Sequence, residues 1–204
     1  MSDAAPAPVH VTGNFYDKYA TRNPVERALM SGFLRTVSTF TRRVAPRTVL
    51  EVGCGEGLLA HHLVTRTRRP DRFVACDIDV GKIRPGIDPQ IEIVEASISE
   101  LPFGDHSFDL VVCCEVLEHL SDPERGFAEV ARVAGRAVIA STPREPLWRI
   151  LNMARGKYLA SLGNTPGHVQ HFSGRALERL IQKSLRIVAR RSPVPWTVLL
   201  AEPY

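Results

Sequence analysis

One segment constrains the fold of this sequence more than any other. The apolar run TVLEV (48–52) leads into the glycine-rich turn GCGEG (53–57) and then into LLAHHLVTRT (58–67), a stretch with helical spacing. Glycines at alternate positions of the turn permit backbone angles that other residues avoid. A strand, a tight turn and a helix in this order are typical of a β-α-β unit, whose strands lie parallel in one sheet. The segment therefore predicts a parallel α/β fold.

The rest of the chain repeats this alternation. Strand-like runs occur at RFVACDID (72–79), IEIVEA (91–96), FDLVVCCEV (108–116) and RAVIAST (136–142), and helical stretches separate most of them. Two closing strands, LRIVARRS and TVLLAEPY, are separated only by PVP, a turn too short to join parallel neighbours. We therefore predict a single-domain, Rossmann-like doubly wound α/β sheet of about seven strands, mostly parallel, with one antiparallel strand near the edge.

Length and composition agree with one globular domain. The chain has 204 residues, of which 44% are hydrophobic and 24% charged, enough for a sizeable core. We expect a flexible tail over residues 1–13, an N-terminal cap with an amphipathic helix over 14–45, and the main domain over 46–204. Within that domain, residues 143–172 form a polar, irregular insert that is long for a connection, and we interpret it as a lid over an acceptor pocket.

Charge and hydropathy restrict the partners and the compartment. A net charge of +4 permits an anionic partner without requiring one, and no RNA-reading module is visible, so nucleic acid is not an expected partner. No run is apolar over the roughly 18–20 residues of a membrane span, and the N-terminus does not have the pattern of a signal peptide. We expect a cytoplasmic protein without a membrane span. Its four cysteines do not have zinc-site spacing, and we expect those in the strands to be buried.

Two features predict a nucleotide-like ligand at the glycine turn. Open parallel sheets bind ligands outside the carboxyl ends of their strands, and Asp77 ends the second strand 20 positions after Gly57, from where an acid can reach the two ribose hydroxyls. Glu51 and Glu56 flank the turn. Carboxylates are poor neighbours for a pyrophosphate but suit an ammonium or sulfonium group. These points indicate S-adenosylmethionine as the cofactor.

Four segments, taken together, resemble the class I S-adenosylmethionine-dependent methyltransferases in order and spacing. The resemblance covers roughly residues 46 to 202. The matching segments are VLEVGCGEG (49–57), ACDID (75–79), SELPFGDHSFDLVVCCEVLEHLSDP (99–123) and AVIASTP (137–143). The resemblance implies a seven-stranded sheet in which Glu51 and the turn of Gly53, Cys54 and Gly55 hold the amino acid part of the cofactor, and Asp77 holds the ribose.

The resemblance also implies the surroundings of the adenine. Ile78 would pack on the ring, and the segment formed by Ser97 and Ile98 would border its edge. Many relatives have an acid where Ser97 stands, although a serine can still accept a hydrogen bond. Cys114, at the end of the fourth strand, completes the predicted set of cofactor-binding residues.

The candidate acceptor side is the segment Glu115-Val-Leu-Glu118-His119, which begins where the fourth strand ends. If it is helical, Glu115, Glu118 and His119 share a face and suit Mg²⁺, Mn²⁺ or a similar ion that holds and acidifies a hydroxyl. The pattern resembles the metal site of ubiquinone-pathway O-methyltransferases and of small-RNA 2′-O-methyltransferases. His168 or His171 could add a ligand. In the alternative, there is no metal and these histidines are local packing or loop residues.

Aromatic residues occur at both flanks of the predicted cofactor site. Tyr16 and Tyr19 in the N-terminal cap could close over the cofactor or simply anchor the chain there. In the insert, Trp148 could line an acceptor pocket.

We therefore predict an enzyme that transfers a methyl group from S-adenosylmethionine to a small-molecule acceptor by in-line displacement, with a hydroxyl oxygen as the expected acceptor atom. One alternative is a non-catalytic regulatory or scaffold protein that binds the cofactor. Another is RNA 2′-O-methylation through a metal site. A nicotinamide-dependent oxidoreductase is disfavoured because the third glycine comes one residue early.

Overall fold

A computed structural model describes Thr21 and residues 23–204. The predicted tail over 1–13 and the two cap tyrosines, Tyr16 and Tyr19, lie outside the described residues. The strands are β1 (Thr48–Val52), β2 (Arg72–Asp77), β3 (Ile91–Glu95), β4 (Phe108–Cys114), β5 (Ala134–Pro143), β6 (Arg186–Arg191) and β7 (Trp196–Glu202). The helices are α1 (Pro24–Val44), α2 (Leu58–Arg66), α3 (Pro123–Val133), α4 (Leu147–Ala154) and α5 (Gly174–Ile181).

The seven strands form one sheet with the order β3-β2-β1-β4-β5-β7-β6. The pairs from β3 through β5 are parallel, whereas β7 is antiparallel to both of its neighbours and lies second from the edge. The predicted fold class is confirmed, including the antiparallel strand that the short turn before β7 requires. Strand order reverses between β1 and β4, so the open crevice of the sheet lies at the carboxyl ends of these two strands.

Polar side chains begin three of the helices. Asn23 accepts from the backbone N–H of Val25, Asp122 from that of Arg125, and Ser173 from that of Ala176. Each cap satisfies an N–H that the first helical turn leaves without an intrahelical partner. These caps explain why the helices begin where they do.

Helices cover both faces of the sheet, which explains the nearly continuous apolar character of the central strands. In β4, Leu110 and Val112 pack in the cluster with α1 and α2. Val111 and Cys113 point to the other face and pack in the cluster with α3 and α5. None of the helices among the described residues is long and apolar enough to cross a membrane.

The insert is more regular than its composition predicts. It contains helix α4, which buries Trp148 and Asn152, and a 3₁₀ turn, Leu159–Ser161. The Asn152 amide donates to the Gly163 carbonyl at 2.9 Å, which folds the segment back on the helix. The expectation of an irregular insert was wrong because burial of a few side chains stabilises a helix that polar composition alone does not reveal.

Candidate functional site

The glycine turn after β1 is held against β2 by its backbone. All three glycines of the turn have positive φ, at 73°, 53° and 76°. The N–H groups of Gly53 and Cys54 both donate to the Cys76 carbonyl, at 2.8 and 3.0 Å. A Cβ on Gly53 would lie 2.3 Å from a methyl of Val116, whereas a Cβ on Gly55 would meet nothing within 4 Å. The turn is therefore closely packed at its start and open at Gly55, where a ligand can approach the backbone.

The carboxylate of Asp77 closes this turn from the end of β2. Its Oδ2 accepts from the Gly55 N–H at 2.8 Å, and its Oδ1 accepts from the Asp79 N–H at 3.1 Å. Each carboxylate oxygen can accept more than one hydrogen bond, so hydroxyl donors can be added without breaking these contacts. The structure thus brings together the acid and the turn that the sequence spacing pairs.

Glu51 is a buried carboxyl at the same edge of the sheet. Its residue is only 4% exposed, and its Oε2 has no hydrogen-bond partner in the described part of the chain. Burial raises the pKa of Glu51 to about 8, and the nearby Asp77 adds to the increase, while a hydrogen bond from the Ala60 backbone opposes it. An acceptor of this kind is costly without a partner and is suited to a cationic group of a ligand.

Glu56, the second acid of the turn, has a different role. It forms an ion pair with Arg84, with 3.2 Å between the guanidinium and Oε2, and its carbonyl accepts from the Arg84 N–H at 3.1 Å. The idea that both Glu51 and Glu56 present charge to the ligand is therefore corrected, because the charge of Glu56 is matched within the chain.

The residues predicted around the adenine differ in exposure. Ile78 follows Asp77 and is 48% exposed, so its apolar side chain is accessible to a ring. The Ser97 hydroxyl accepts from the Ser99 N–H at 3.2 Å, and Ile98 is buried in the core. Of this group, Ile78 is the side chain that the fold leaves accessible.

All four cysteines are buried and unpaired with one another. Burial raises the pKa of Cys76 to about 12 and raises the pKa values of Cys54, Cys113 and Cys114 well above the usual range. A protonated, buried thiol is neither a nucleophile nor a metal ligand. The interpretation of the strand cysteines as small hydrophobic residues agrees with this environment.

Glu115 is not on a helix with Glu118 and His119, so the condition for their predicted shared face is not met. Its backbone is left-handed, with φ at 62°, and only a short 3₁₀ turn ending at His119 follows. The Glu115 N–H donates to the Ser141 carbonyl and so extends the pairing of β4 with β5. Its carboxylate accepts from the Ser141 hydroxyl at 3.2 Å and from the Trp196 indole N–H at 2.7 Å. The pairing of β4 with β5 therefore continues through Glu115, where the sequence suggested a helical turn.

A carboxylate and two imidazoles come together beside this point. Glu118, His119 and His168 each offer a ligand atom, and these atoms lie within 4.8 Å of one another. Glu118 and His168 are buried, and the two histidine rings meet edge to face with 4.9 Å between their centroids. The Val169 and Gln170 N–H groups donate to the Glu118 carbonyl at 3.0 Å, which docks the insert onto the turn. We call these three side chains the Glu118 cluster.

A backbone contact orients the His119 ring, and the cluster includes only one of the two insert histidines. The Nδ1 of His119 lies 2.9 Å from the Gly167 carbonyl, which can only accept, so Nδ1 is protonated and donates this hydrogen bond. Of the two insert histidines that the sequence left open, His168 joins the cluster, whereas His171 is exposed and lies outside it.

Two tryptophans support the cluster, and their contacts could not be read from local patterns. Trp148 stacks on His168 with 6.2 Å between ring centroids, and Trp196 lies 6.1 Å from Trp148. The Trp148 indole donates to the Thr165 hydroxyl at 2.8 Å. Trp148 was expected to line a pocket, but no signal pointed to Trp196, which lies 81 positions from the Glu115 it contacts.

Comparisons with known proteins agree with this fold. Residues 50–138 match a family described as "Methyltransferase domain". A probable S-adenosylmethionine-dependent methyltransferase of Mycobacterium tuberculosis is 34% identical over 151 residues, which are 70% of this chain and 51% of that protein. A demethylmenaquinone methyltransferase of Clavibacter sepedonicus is 35% identical over 53% of this chain and 49% of its own length. The chain spans about half the length of these curated relatives.

A solved structure extends the likeness to the whole fold. The magnesium protoporphyrin IX methyltransferase of Synechocystis with bound SAH superposes with a TM-score of 0.65, covering 90% of this chain and 89% of that one, at 18% identity. At that identity the likeness concerns the fold alone. The strand order, the glycine turn with Asp77 and the sequence matches agree with the resemblance to the class I S-adenosylmethionine-dependent methyltransferases, and residues 50–138 carry the match to the methyltransferase domain family.

Proposed function

We propose that this protein transfers a methyl group from S-adenosylmethionine to a hydroxyl oxygen of a small molecule. The observation that carries the proposal is the buried Oε2 of Glu51, which has no hydrogen-bond partner among Thr21 and residues 23–204, together with the open approach to Gly55. A buried acceptor and a backbone accessible to a ligand are what a cofactor with an ammonium group requires. The relatives' names support the same donor.

Each residue around the turn would bind a different part of the cofactor. When bound, S-adenosylmethionine supplies an activated methyl group on a sulfonium sulfur. Glu51 would pair with the ammonium of its amino acid part, and Asp77 would accept from the ribose hydroxyls. The exposed side chain of Ile78 would cover one face of the adenine.

The position of the Glu118 cluster supports a role on the acceptor side. Glu118 and His119 lie in the short turn after β4, at the carboxyl-end edge of the sheet that also carries the glycine turn, and His168 joins them from the insert. In-line displacement needs an aligned acceptor, and a hydroxyl becomes a better nucleophile when a base takes its proton. The Nε2 of His119 can accept that proton, and the carboxylate of Glu118 would stabilise the imidazolium formed.

The same cluster fits a divalent cation in a second version of this mechanism. One carboxylate and two imidazoles suit Mn²⁺ or Zn²⁺ better than Mg²⁺, which prefers oxygen ligands. The sequence named Mg²⁺, Mn²⁺ or a similar ion with Glu115 as a further ligand, and the set without Glu115 favours Mn²⁺ or Zn²⁺. Such an ion would hold the hydroxyl and lower its pKa. No observation on the described residues favours the scaffold or RNA alternatives.

Asp77→Ala should weaken binding of S-adenosylmethionine and of its demethylated product. Losing hydrogen bonds to a charged acceptor should increase Kd about 10- to 150-fold, corresponding to roughly 1.5–3 kcal/mol. Titration calorimetry with both ligands measures this. Asp79→Ala is the matched control because Asp79 caps a 3₁₀ turn and pairs with Lys82, so its Kd should stay near that of the wild type. No binding of either ligand by the wild type would contradict the proposed function.

Glu118→Gln and His119→Ala should reduce methyl transfer while leaving cofactor binding nearly unchanged. Loss of a positioned acid or base costs about 10²- to 10⁴-fold in kcat. Transfer from labelled S-adenosylmethionine to a set of small hydroxylated molecules gives the rate, and calorimetry with the cofactor confirms folding. The exposed His171→Ala is the control.

A chelator separates the two versions of the mechanism. Loss of wild-type activity in a strong chelator, with recovery on adding Mn²⁺ or Zn²⁺, supports the ion, whereas unchanged activity supports His119 as the base. Full activity of both variants would remove the Glu118 cluster from the mechanism.

A further inference from the structure

The outer surface of the insert is unusually apolar. Ten large hydrophobic side chains are exposed among the described residues, and five of them lie within 20 consecutive positions of the insert, at 36% to 64% exposure. These five are Ile150, Met153, Leu159, Leu162 and Val169. Single exposed hydrophobic residues are ordinary, but a concentration of them on one segment marks a surface that contacts something other than water.

Four of these side chains belong to two neighbouring turns. Ile150 and Met153 are three residues apart and share the outer side of α4, and Leu159 and Leu162 are likewise three apart around the 3₁₀ turn. The Arg149 Nε donates to the Leu162 carbonyl at 2.8 Å, which ties the second pair to α4 beside Ile150. We call Ile150, Met153, Leu159 and Leu162 the insert face.

Positive charge accompanies the insert face. Residues 144–170 contain four basic residues and one acid, Glu145, which gives four minus one, or +3, of the total +4 of the chain. The acid is half-buried, and one of its oxygens is enclosed within the protein. Arg155 forms an ion pair with Glu26 at 2.9 Å, and counting this partner leaves a surplus of four minus two, or +2. Apolar groups mixed with cations are typical of segments that lie in the interface of an anionic bilayer.

We propose that the insert face docks this protein on an anionic lipid surface. The apolar side chains would enter the boundary of the acyl chains while the basic residues remain among the headgroups. Each basic residue near such a surface increases partitioning about fivefold. A second copy of this chain is a poorer partner, because a two-fold contact would place the same cations against one another.

The proposal does not depend on the methyl-transfer reaction. It concerns the outer side of the insert, whereas His168, on its inner side, belongs to the Glu118 cluster. If both proposals hold, a lipid-dissolved acceptor would meet the insert before it reaches the cluster.

Vesicle sedimentation of the full chain tests the docking. We expect binding to phosphatidylcholine vesicles that contain phosphatidylglycerol, weaker binding at high salt, and little binding to pure phosphatidylcholine. The double variant Ile150→Glu/Leu162→Glu should lower partitioning about tenfold or more. Val25→Glu/Val194→Glu adds the same charge at exposed apolar residues outside the insert and should change partitioning much less.

Cofactor affinity, measured by calorimetry, should be the same in both double variants and so reports folding independently. Equal binding to both vesicle types, or no binding to either, would overturn the proposal. Self-association of the wild type that Ile150→Glu/Leu162→Glu abolishes, without vesicle binding, would identify the insert face as a protein interface instead and would also overturn it.

Discussion

Glu51→Gln should stabilise the cofactor-free protein above pH 8 and at the same time weaken its binding of S-adenosylmethionine. The folded protein holds the Glu51 pKa at about 8 because the carboxyl is buried, whereas an unfolded chain has it near 4.3. The folded state therefore binds the proton more tightly. Stability from this group is complete below about pH 4.3 and is lost as the pH rises to about 8.

The loss should be on the order of 3–5 kcal/mol at pH values above 8, since each unit of difference in pKa corresponds to about 1.4 kcal/mol. Glutamine has no charge to bury, so the variant does not have this loss. Denaturant unfolding of both proteins at acidic pH and above pH 8 should show the difference growing with pH. Glu92→Gln is the control, because Glu92 is an exposed partner of Arg72 and its pKa is lowered.

Cofactor binding should show the opposite effect of the same substitution. An ammonium group favours ionised Glu51, so binding should release a proton below about pH 8, and wild-type affinity should rise with pH up to that value. Calorimetry in buffers of different ionisation enthalpy counts the proton. Loss of a charge-assisted hydrogen bond should increase Kd about 10- to 150-fold above pH 8. Equal affinity of Glu51→Gln and the wild type would show that Glu51 does not hold the ammonium.

Gly53→Ala should destabilise the protein more than an alanine at either of the other two glycines of the turn. A left-handed backbone costs a residue with a Cβ roughly 1–2 kcal/mol. The Cβ would also lie 2.3 Å from a methyl of Val116, and such overpacking costs about 1–3 kcal/mol more. We therefore expect a loss of about 2–5 kcal/mol, measured by denaturant unfolding of the cofactor-free protein.

Gly55→Ala is the matched comparison. It has the same kind of backbone strain, with φ at 53°, but its Cβ would meet nothing within 4 Å. Its stability loss should be only the strain, about 1–2 kcal/mol, while its cofactor affinity should fall because the methyl enters the open approach. Adding Val116→Ala should recover part of the stability of Gly53→Ala and none of Gly55→Ala. Equal losses in both variants, without this rescue, would mean that the turn relaxes around the new methyl.

Local sequence patterns correctly predicted the elements whose structure depends on neighbouring residues. Strand β1, the glycine turn and helix α2 lie where the sequence predicts them, because alternation, positive φ and helical spacing act over a few residues. The pairing of Asp77 with the turn also followed, since a β-α-β unit brings the ends of adjacent parallel strands to one edge. The antiparallel β7 followed from the length of one turn.

Local sequence patterns did not predict side-chain contacts whose partner lies on a distant segment of the chain. Glu115 was expected on a helical face, but its backbone continues the pairing with β5, and its carboxylate is held by Trp196 from β7. Glu56 was expected to face the ligand, but Arg84, 28 positions away, takes its charge. Both corrections come from contacts that no window of neighbouring residues contains.

The sequence by itself therefore determined the α/β class, the glycine turn, the acid that accompanies it and the family resemblance. These depend on backbone preferences and on the short-range geometry of one repeating unit. Only the tertiary structure decided that His168 rather than His171 joins Glu118 and His119, and that five large apolar side chains of the insert are exposed. The reason is physical: those contacts form between segments tens of residues apart, and packing and hydrogen bonding of the whole chain select them.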